Sequence, residues 1–147
     1  MLPFQLIIRN LSKSYGELQV WNRLNLTLDS GQTYCLMGSS GIGKTTLFRI
    51  LLGLEQPDNG SFSLEPSPGC KLTAVFQEDR LCEAFTPIDN VYLTAGSVLN
   101  RRQIIDELSR LLPRESLTRP ISTLSGGMKR RVAIARALVS KPAIVLA

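Results

Sequence analysis

Apolar positions along the chain repeat with two periods, one typical of strands and the other of helices. Residues 24–28 place apolar side chains at every second position. With the short apolar runs they predict six strands, at 5–8, 24–28, 32–37, 61–64, 72–76 and 143–146. Apolar residues at helical spacing predict helices at 46–52, 88–112 and 128–139. Strands that alternate with helices predict an α/β fold with a largely parallel sheet.

Residues 38–45 join the third predicted strand to the first predicted helix with the pattern Gly-x-x-x-x-Gly-Lys-Thr. In this pattern, backbone N–H groups of a turn and of a helix N-terminus surround nucleotide phosphates, and the hydroxyl group binds Mg²⁺. A flexible Gly-rich turn is the alternative, but the position between a buried strand and a helix favours phosphate binding. The predicted nucleotide-binding residues of this loop are Gly38, Ser39, Ser40, Gly41, Ile42, Gly43, Lys44, Thr45 and Thr46.

A second glycine-containing motif, Leu124-Ser125-Gly126-Gly127, precedes the last predicted helix. Ser125 stands at the expected N-cap position. The two glycines leave the N–H groups of the first turn uncovered, so that an anion could approach the positive end of the helix. On pattern alone, an N-capped amphipathic helix with a solvated basic face explains the motif about as well.

The phosphate loop, Gln77 after a strand and the Ser-Gly-Gly motif occur in the order seen in ATP-binding cassette (ABC) proteins. From Leu6 to Leu146, the chain resembles the nucleotide-binding subunit of an ABC transporter. The resemblance implies a P-loop NTPase core with a mostly parallel sheet, an N-terminal antiparallel β subdomain and a helical subdomain, with a C-terminal part missing. Residues 1–147 would form a partial nucleotide-binding domain. It would have its core with the phosphate loop at about 1–80, a helical subdomain at about 81–125, and the signature helix with the start of the Walker B strand at about 126–147.

The resemblance also implies roles for single residues. Tyr15 stands where the family stacks an aromatic ring on adenine. The alternative interpretation, which the residues alone would favour, is a surface aromatic near a turn. Gln77 matches the Q-loop glutamine, which reaches Mg²⁺ and the attacking water, and its alternative is a polar residue that ends a strand. Lys44 and Gln77 would be catalytic, and Thr45 and Gln77 would hold the metal.

Partners follow from the same resemblance. Two subunits of the family close head to tail over two ATP molecules, so Ser125, Gly126 and Gly127 would contact the γ-phosphate that Lys44 of the other subunit holds. The helical stretch 78–123 is like the subdomain that docks to membrane subunits in importers. The implied partners are ATP with Mg²⁺, a second copy or a paired ABC subunit, and integral-membrane permease subunits at the cytoplasmic side of the membrane.

The sequence departs from the family pattern in two places. Met128 stands where the family commonly has Gln, which removes a polar side chain and leaves the helix N-terminus intact. The run 141–147 resembles the strand that leads into the Walker B Asp-Glu pair but stops before that pair. In the family, the Asp would hold Mg²⁺ through water and the Glu would be the general base. Without this pair, we expect a truncated subunit that binds ATP without turnover. We also expect the isolated chain to be unstable, because part of its sheet would be uncovered.

Composition restricts the other classes of function. The chain has 17 Lys and Arg against 12 Asp and Glu and no His, which excludes histidine metal ligands and histidine general bases within these residues. Cys35, Cys70 and Cys82 lack the paired spacing of zinc or redox sites and indicate a reducing compartment. The basic residues are mostly scattered, so nucleic acid is not an expected partner. No signal peptide or membrane span is predicted.

The leading hypothesis is the ATP-binding subunit of an ABC transporter, similar to those of bacterial importers, with ATPase activity expected of the full-length protein. A nucleotide-binding fragment that does not hydrolyse ATP, or is defunct, stays open because the Asp-Glu pair is absent. A soluble ABC ATPase of translation or DNA repair would normally show tandem cassettes or a long coiled-coil insertion, and neither is present in these residues. The Ser-Gly-Gly motif disfavours a P-loop kinase or GTPase.

Overall fold

The structure is a computed structural model that describes residues 3–66, 71–95 and 98–147. The chain divides into two compact units, Met1–Cys70 and Lys71–Ala147. Each unit has its own sheet, antiparallel in the first and parallel in the second.

The first unit contains a three-stranded antiparallel sheet with β1 in the centre. Its strands are β1 (Gln5–Tyr15), β2 (Leu18–Asp29) and β3 (Asn59–Glu65). Ile8 lies opposite Leu26 on one neighbour and opposite Phe62 on the other. Leu6 and Ile8 are each 2% exposed, as expected for side chains that alternate onto one buried face of a strand.

One helix of this unit, α1 (Lys44–Leu51), begins directly after the Gly-rich loop. Leu47, Ile50 and Leu51 form its buried face, and the helical spacing of these three residues explains why one stripe of the helix is covered. Leu52 is the C-cap residue of the helix, and the N–H of Gly53 after it donates to the carbonyl oxygen of Ile50 at 2.9 Å.

The second unit combines a short parallel sheet with helices. The strands are β4 (Leu72–Ala74) and β5 (Ile144–Leu146), and the helices are α2 (Pro87–Ala95), α3 (Arg101–Leu108) and α4 (Gly126–Leu138), with 3-10 turns at Arg114–Ser116 and Ile121–Thr123. Buried apolar residues of the three helices and of the turns form one core: Ile88, Val91, Ala95, Ile104, Leu108, Leu112, Leu117, Ile121, Leu124, Val132 and Ala135. Within the described ranges, every helix is too short or too polar to span a bilayer.

One buried polar residue fixes the chain ahead of α2. The side chain of Asn90, 1% exposed, accepts from the N–H of Cys82 at 2.8 Å and donates to the carbonyl oxygens of Cys82 and Thr86. Because these bonds satisfy the buried amide, it adds order to the core without an unpaired polar group.

Most predicted elements are confirmed. The strands at 5–8, 24–28 and 61–64 form and are longer than predicted, whereas those at 72–76 and 143–146 are shorter. The helices predicted at 46–52 and 128–139 form with ends shifted by one or two residues. The α/β class with an antiparallel β subdomain, a parallel sheet and helices is also confirmed.

Two predicted elements are wrong. Residues 32–37, predicted as a buried strand, are exposed and join neither sheet, and a strand without a hydrogen-bonded neighbour leaves its backbone groups to solvent. The helix predicted at 88–112 is two helices, because Asn100 and Gln103 form a capping box that starts α3. Of the predicted loop 66–69, only Pro66 lies within the described residues, and Cys70 and residues 96–97 lie outside them.

Candidate functional site

The phosphate loop closes around its own lysine. The ammonium group of Lys44 donates to the carbonyl oxygens of Gly38 at 2.7 Å and Ser39 at 2.8 Å. A lysine ammonium has three N–H donors, so these two bonds leave one for a ligand. The side chain of Lys44 therefore stabilises the curved backbone of the loop and still presents positive charge to an anion.

Gly43 lies against two side chains of β2, Val20 and Trp21. Its φ of +101° is left-handed, and a Cβ at this position would lie 2.2 Å from Cγ1 of Val20 and 2.9 Å from Nε1 of Trp21. Nε1 of Trp21 also donates to the carbonyl oxygen of Gly43 at 3.0 Å. The loop therefore requires glycine here both for its conformation and for the contact with β2.

The first turn of α1 suits a negatively charged ligand. It contains no acidic residue, and its N-cap, Gly43, offers no side chain to the free N–H groups. Those groups and the helix dipole make this end attractive to phosphate. Thr45 is exposed on this turn and Thr46 is half-buried, so the hydroxyl of Thr45 is accessible to a metal ion.

Tyr15 ends β1 and is 47% exposed. Its hydroxyl donates to a carboxylate oxygen of Glu55, which follows α1 in the chain. The ammonium of Lys13 lies 5.3 Å from the centre of the ring. The hydroxyl end of the ring is thus held while much of its surface stays open.

Charged groups around Tyr15 perturb one another. The hydroxyl of Tyr15 and, against the effect of burial, the ammonium of Lys13 hold the pKa of Glu55 below its ordinary value of 4.5. Burial acts to lower the pKa of Lys13, but hydrogen bonds with Asp58 and Glu55 outweigh it and raise that pKa above 10.5. The N–H of Ser14 lowers the pKa of Asp58 by donating to its carboxylate at 2.7 Å. All three groups stay charged at neutral pH.

In the second unit, Gln77 is exposed shortly after β4. Two arginines of α4 hold the backbone around it: Arg130 donates to the carbonyl oxygen of Phe76, and Arg136 donates to those of Asp79 and Arg80, each at 2.8 Å. The segment that carries Gln77 is therefore fixed to the helix that carries the Ser-Gly-Gly motif.

The Ser-Gly-Gly motif opens α4 as predicted. The hydroxyl of Ser125, the N-cap residue, accepts from the N–H of Met128 at 3.3 Å. Gly126 and Gly127 are exposed, and a Cβ at either would meet nothing within 4 Å. Packing within the described part of the chain therefore does not explain why these positions are glycine.

The structure groups the predicted residues into two sets. The first unit holds Tyr15 with the phosphate loop, and the second holds Gln77 with the Ser-Gly-Gly motif. Sequence reasoning missed the residues that position these sets: Trp21, Glu55, Arg130 and Arg136. Only the basic run at 129–131 signalled any of them, because contacts made by a strand residue or by a loop carboxylate leave no periodic pattern.

Metal ligands are few among the described residues, which contain no cluster of three or more His, Cys, Asp or Glu side chains able to hold an ion. The chain nevertheless offers an exposed hydroxyl at Thr45 and an exposed amide oxygen at Gln77. Mg²⁺ prefers oxygen ligands and usually binds through few protein groups together with substrate phosphates. Each of these donors, taken within its own unit, is of the type that Mg²⁺ binds when it arrives with a nucleotide.

The ABC transporter family model matches residues 21–147. The chain belongs to the ABC transporter family. It is 38% identical to the bicarbonate transport ATP-binding protein CmpD of Synechococcus elongatus, over 98% of this chain and 57% of that protein. It is 34% identical to the aliphatic sulfonates import ATP-binding protein SsuB 1 of Rhizobium johnstonii, over 97% of this chain and 55% of that protein. This ABC chain thus spans little more than half the length of these curated relatives.

Solved structures agree with the family. The ATP-binding cassette MJ0796, a dimer bound to ADP and Pi in a post-hydrolysis state, matches with a TM-score of 0.80 at 27% identity, over 95% of this chain and 72% of that one. CbiO1 of Clostridium perfringens matches with a TM-score of 0.76 at 24% identity, over 95% of this chain and 63% of that one. The second likeness concerns the fold alone.

Proposed function

We propose that this chain is the ATP-binding part of an ABC transporter ATPase, which couples ATP binding and hydrolysis to solute transport across a membrane. The phosphate loop carries the proposal, because Lys44 and the open first turn of α1 present positive charge and free N–H groups to the same anion. The two relatives above, named as ATP-binding proteins of bicarbonate transport and sulfonate import, support the transporter role.

The pairing of β1 with β2 supports the proposal that the loop and Tyr15 bind the same nucleotide. Trp21 contacts Gly43 of the loop, and its partner across the two strands is Lys13. Tyr15 lies two residues farther along β1, about 7 Å of strand. The adenine ring would stack on Tyr15 while the phosphates occupy the loop. A single aromatic side chain is enough for such stacking, because every base presents a π-face.

Lys44, Thr45 and Gln77 would act on the terminal phosphate. The ammonium of Lys44 would bind the outer phosphate oxygens and balance their charge. The hydroxyl of Thr45 and the amide oxygen of Gln77 would hold Mg²⁺. Bound Mg²⁺ neutralises charge that develops on the phosphates. Gln77 would also orient the attacking water.

Ser125, Gly126 and Gly127 would contact the γ-phosphate bound by a second copy or by a paired ABC subunit. The open space around both glycines supports this role, since it leaves room for a ligand from outside the chain. Residues 81–125 would dock to integral-membrane permease subunits, which places the protein peripherally at the cytoplasmic side of the membrane.

Import is the direction we propose. Relatives named for sulfonate, spermidine or putrescine, and sulfate or thiosulfate import support it. A relative of Porphyromonas gingivalis that is 37% identical is instead named for lipoprotein release. Transport measured with the permease subunits in membrane vesicles tests the direction.

Titration of the purified protein with MgATP tests the nucleotide site. Emission of Trp21, the one tryptophan of the chain, reports on the loop because its indole contacts Gly43. Lys44→Ala is expected to weaken ATP binding about 10- to 100-fold, the effect of losing a charged hydrogen bond. Lys71→Ala, which removes an exposed lysine of the second unit, should bind like the wild type. Unchanged affinity in Lys44→Ala would contradict the phosphate-loop assignment, and phosphate release from MgATP measures hydrolysis separately.

A further inference from the structure

We propose that Glu55 is a positioning residue for the adenine-stacking ring of Tyr15, which it holds through the tyrosine hydroxyl and ties to helix α1. This inference rests on the proposed function, in which Tyr15 receives the base. Glu55 itself does not touch the nucleotide in this proposal.

A hydrogen bond joins the exposed side chain of Tyr15 to the largely buried side chain of Glu55. Tyr15 is 47% exposed, whereas the side chain of Glu55 is only 15% exposed. The hydroxyl of Tyr15 donates to Oε1 of Glu55. A single hydrogen bond at the far end of a tyrosine restricts both of its side-chain torsions, so the ring keeps one orientation.

Glu55 is fixed in turn by two cations. Nε of Arg49, on α1, lies 3.1 Å from Oε2 of Glu55, and the ammonium of Lys13 lies 3.4 Å from Oε1. Arg49 lies in the last turn of α1, the helix that follows the phosphate loop. The chain Tyr15–Glu55–Arg49 therefore connects the ring to the same helix whose N-terminus would bind the phosphates.

Lys13 holds the opposite side of this network. Its ammonium donates to the carbonyl oxygen of Gln56 at 2.9 Å and to Asp58 at 3.2 Å, and it lies over the ring of Tyr15. The two cations beside Glu55 thus come from separate segments, Lys13 from β1 and Arg49 from α1, and their charges balance the carboxylate. The lowered pKa of Glu55 keeps it ionised, as a strong acceptor for the tyrosine hydroxyl, at neutral pH.

Preorganisation gives the network a measurable consequence. A ring already held in its binding orientation loses less freedom when a base stacks on it, and the affinity for that base rises accordingly. The effect is confined to ligands that carry a base. Inorganic tripolyphosphate, which lacks one, would occupy the loop without using Tyr15.

The experiment compares the affinities of the purified protein for MgATP and for magnesium tripolyphosphate, followed by Trp21 emission. Tyr15→Ala should lower the ratio of the two affinities about tenfold, within the range of base–aromatic stacking. Tyr15→Phe, which keeps the ring, and Glu55→Ala should each lower it about threefold, the effect of one lost hydrogen bond. The double variant Tyr15→Phe/Glu55→Ala should lose no more than either single variant, because both remove the same contact.

Two further variants separate positioning from a merely structural role. Glu55→Gln keeps an oxygen acceptor for the hydroxyl and should restore most of the ratio, although it loses the charge. Glu65→Gln removes a carboxylate that pairs with Arg9 on the same sheet, outside this network, and should leave the ratio unchanged.

The outcomes distinguish the inference from the function on which it rests. If Tyr15→Ala leaves the ratio unchanged, the adenine role of Tyr15 fails and the inference fails with it. If Tyr15→Ala lowers the ratio but Glu55→Ala and Tyr15→Phe do not, the adenine role stands and the positioning role of Glu55 is overturned. Additive losses in the double variant overturn it as well.

Discussion

At the residue scale, the phosphate loop depends on a contact at Gly43 that no other amino acid allows. Gly43→Ala would place a methyl group 2.2 Å from Cγ1 of Val20 in a left-handed conformation. We expect a loss of about 3 kcal/mol or more in the free energy of unfolding, from backbone strain and steric displacement together. ATP binding should be lost as well. Urea unfolding followed by circular dichroism measures the first, and tryptophan emission the second.

Gly53→Ala is the matched control for Gly43→Ala. Gly53 lies just beyond the other end of α1 with φ +70°, and a Cβ there would meet nothing within 4 Å. It should cost only the left-handed strain of about 1–2 kcal/mol and leave ATP affinity unchanged. Equal losses in the two variants would show that conformation alone, and not the approach of β2, makes Gly43 necessary.

The sequence pattern proposes roles for single residues, whereas it gives no sign of the residues that hold them in place. Lys44 and Thr45 belong to a fixed pattern in which each residue type has a role, so the pattern alone predicts a role for each. Glu55 lies in a turn-rich connection, and its role depends on Tyr15, forty residues away in the chain, with which it bonds. Long-range side-chain contacts of this kind have no local signature, which is why the positioning network was not predicted.

At the scale of elements, α4 fixes the segment around Gln77 through two arginine side chains. Arg136 donates to the carbonyl oxygens of Asp79 and Arg80. Hydrogen bonds to charged groups contribute about 1.5–3 kcal/mol each when they are well shielded. Arg136→Ala should therefore raise amide hydrogen exchange in residues 76–81 at least about tenfold, because this segment would open more often without these bonds.

Arg131→Ala tests whether that effect is specific. Arg131 is exposed on the same helix, and its Nε donates only within α4, to the carbonyl oxygen of Gly127 at 3.3 Å. Exchange in residues 76–81 should match the wild type in this variant. A rise of the same size in both variants would mean that the helix, and not the arginine contact, protects the segment.

Sequence patterns predict most directly the elements whose stability is local. A capped amphipathic helix such as α4 carries its own hydrogen bonds and its N-cap serine, and the pattern indicated both. A strand needs a neighbour, and residues 32–37 join neither sheet, so Met37 is 82% exposed despite the apolar run. The break between α2 and α3 was visible in Asn100 and Gln103, three residues apart, but the apolar periodicity on both sides obscured it.

At the scale of the whole molecule, the proposed nucleotide site requires two chains. One unit carries the loop and Tyr15, while the other carries a helix N-terminus whose glycines have open space around them. A free helix N-terminus that binds an anion from outside would complete the site of a second copy. In the proposed function, ATP binding by one chain and association of two chains are therefore separable properties.

Ser125→Arg separates them. An arginine side chain at the exposed N-cap would occupy the space above Gly126 and Gly127, where the γ-phosphate of the second copy would lie. We expect ATP binding by the single chain to stay within about twofold of the wild type, because Ser125 belongs to the other unit than the loop, while ATP-driven dimers disappear. Light scattering of the purified protein with a slowly hydrolysed ATP analogue measures the dimers. Thr118→Arg, an equal change at an exposed turn of the same unit, should leave dimers intact. Dimers that persist in Ser125→Arg would mean that the motif is a helix cap and that the composite site is wrong.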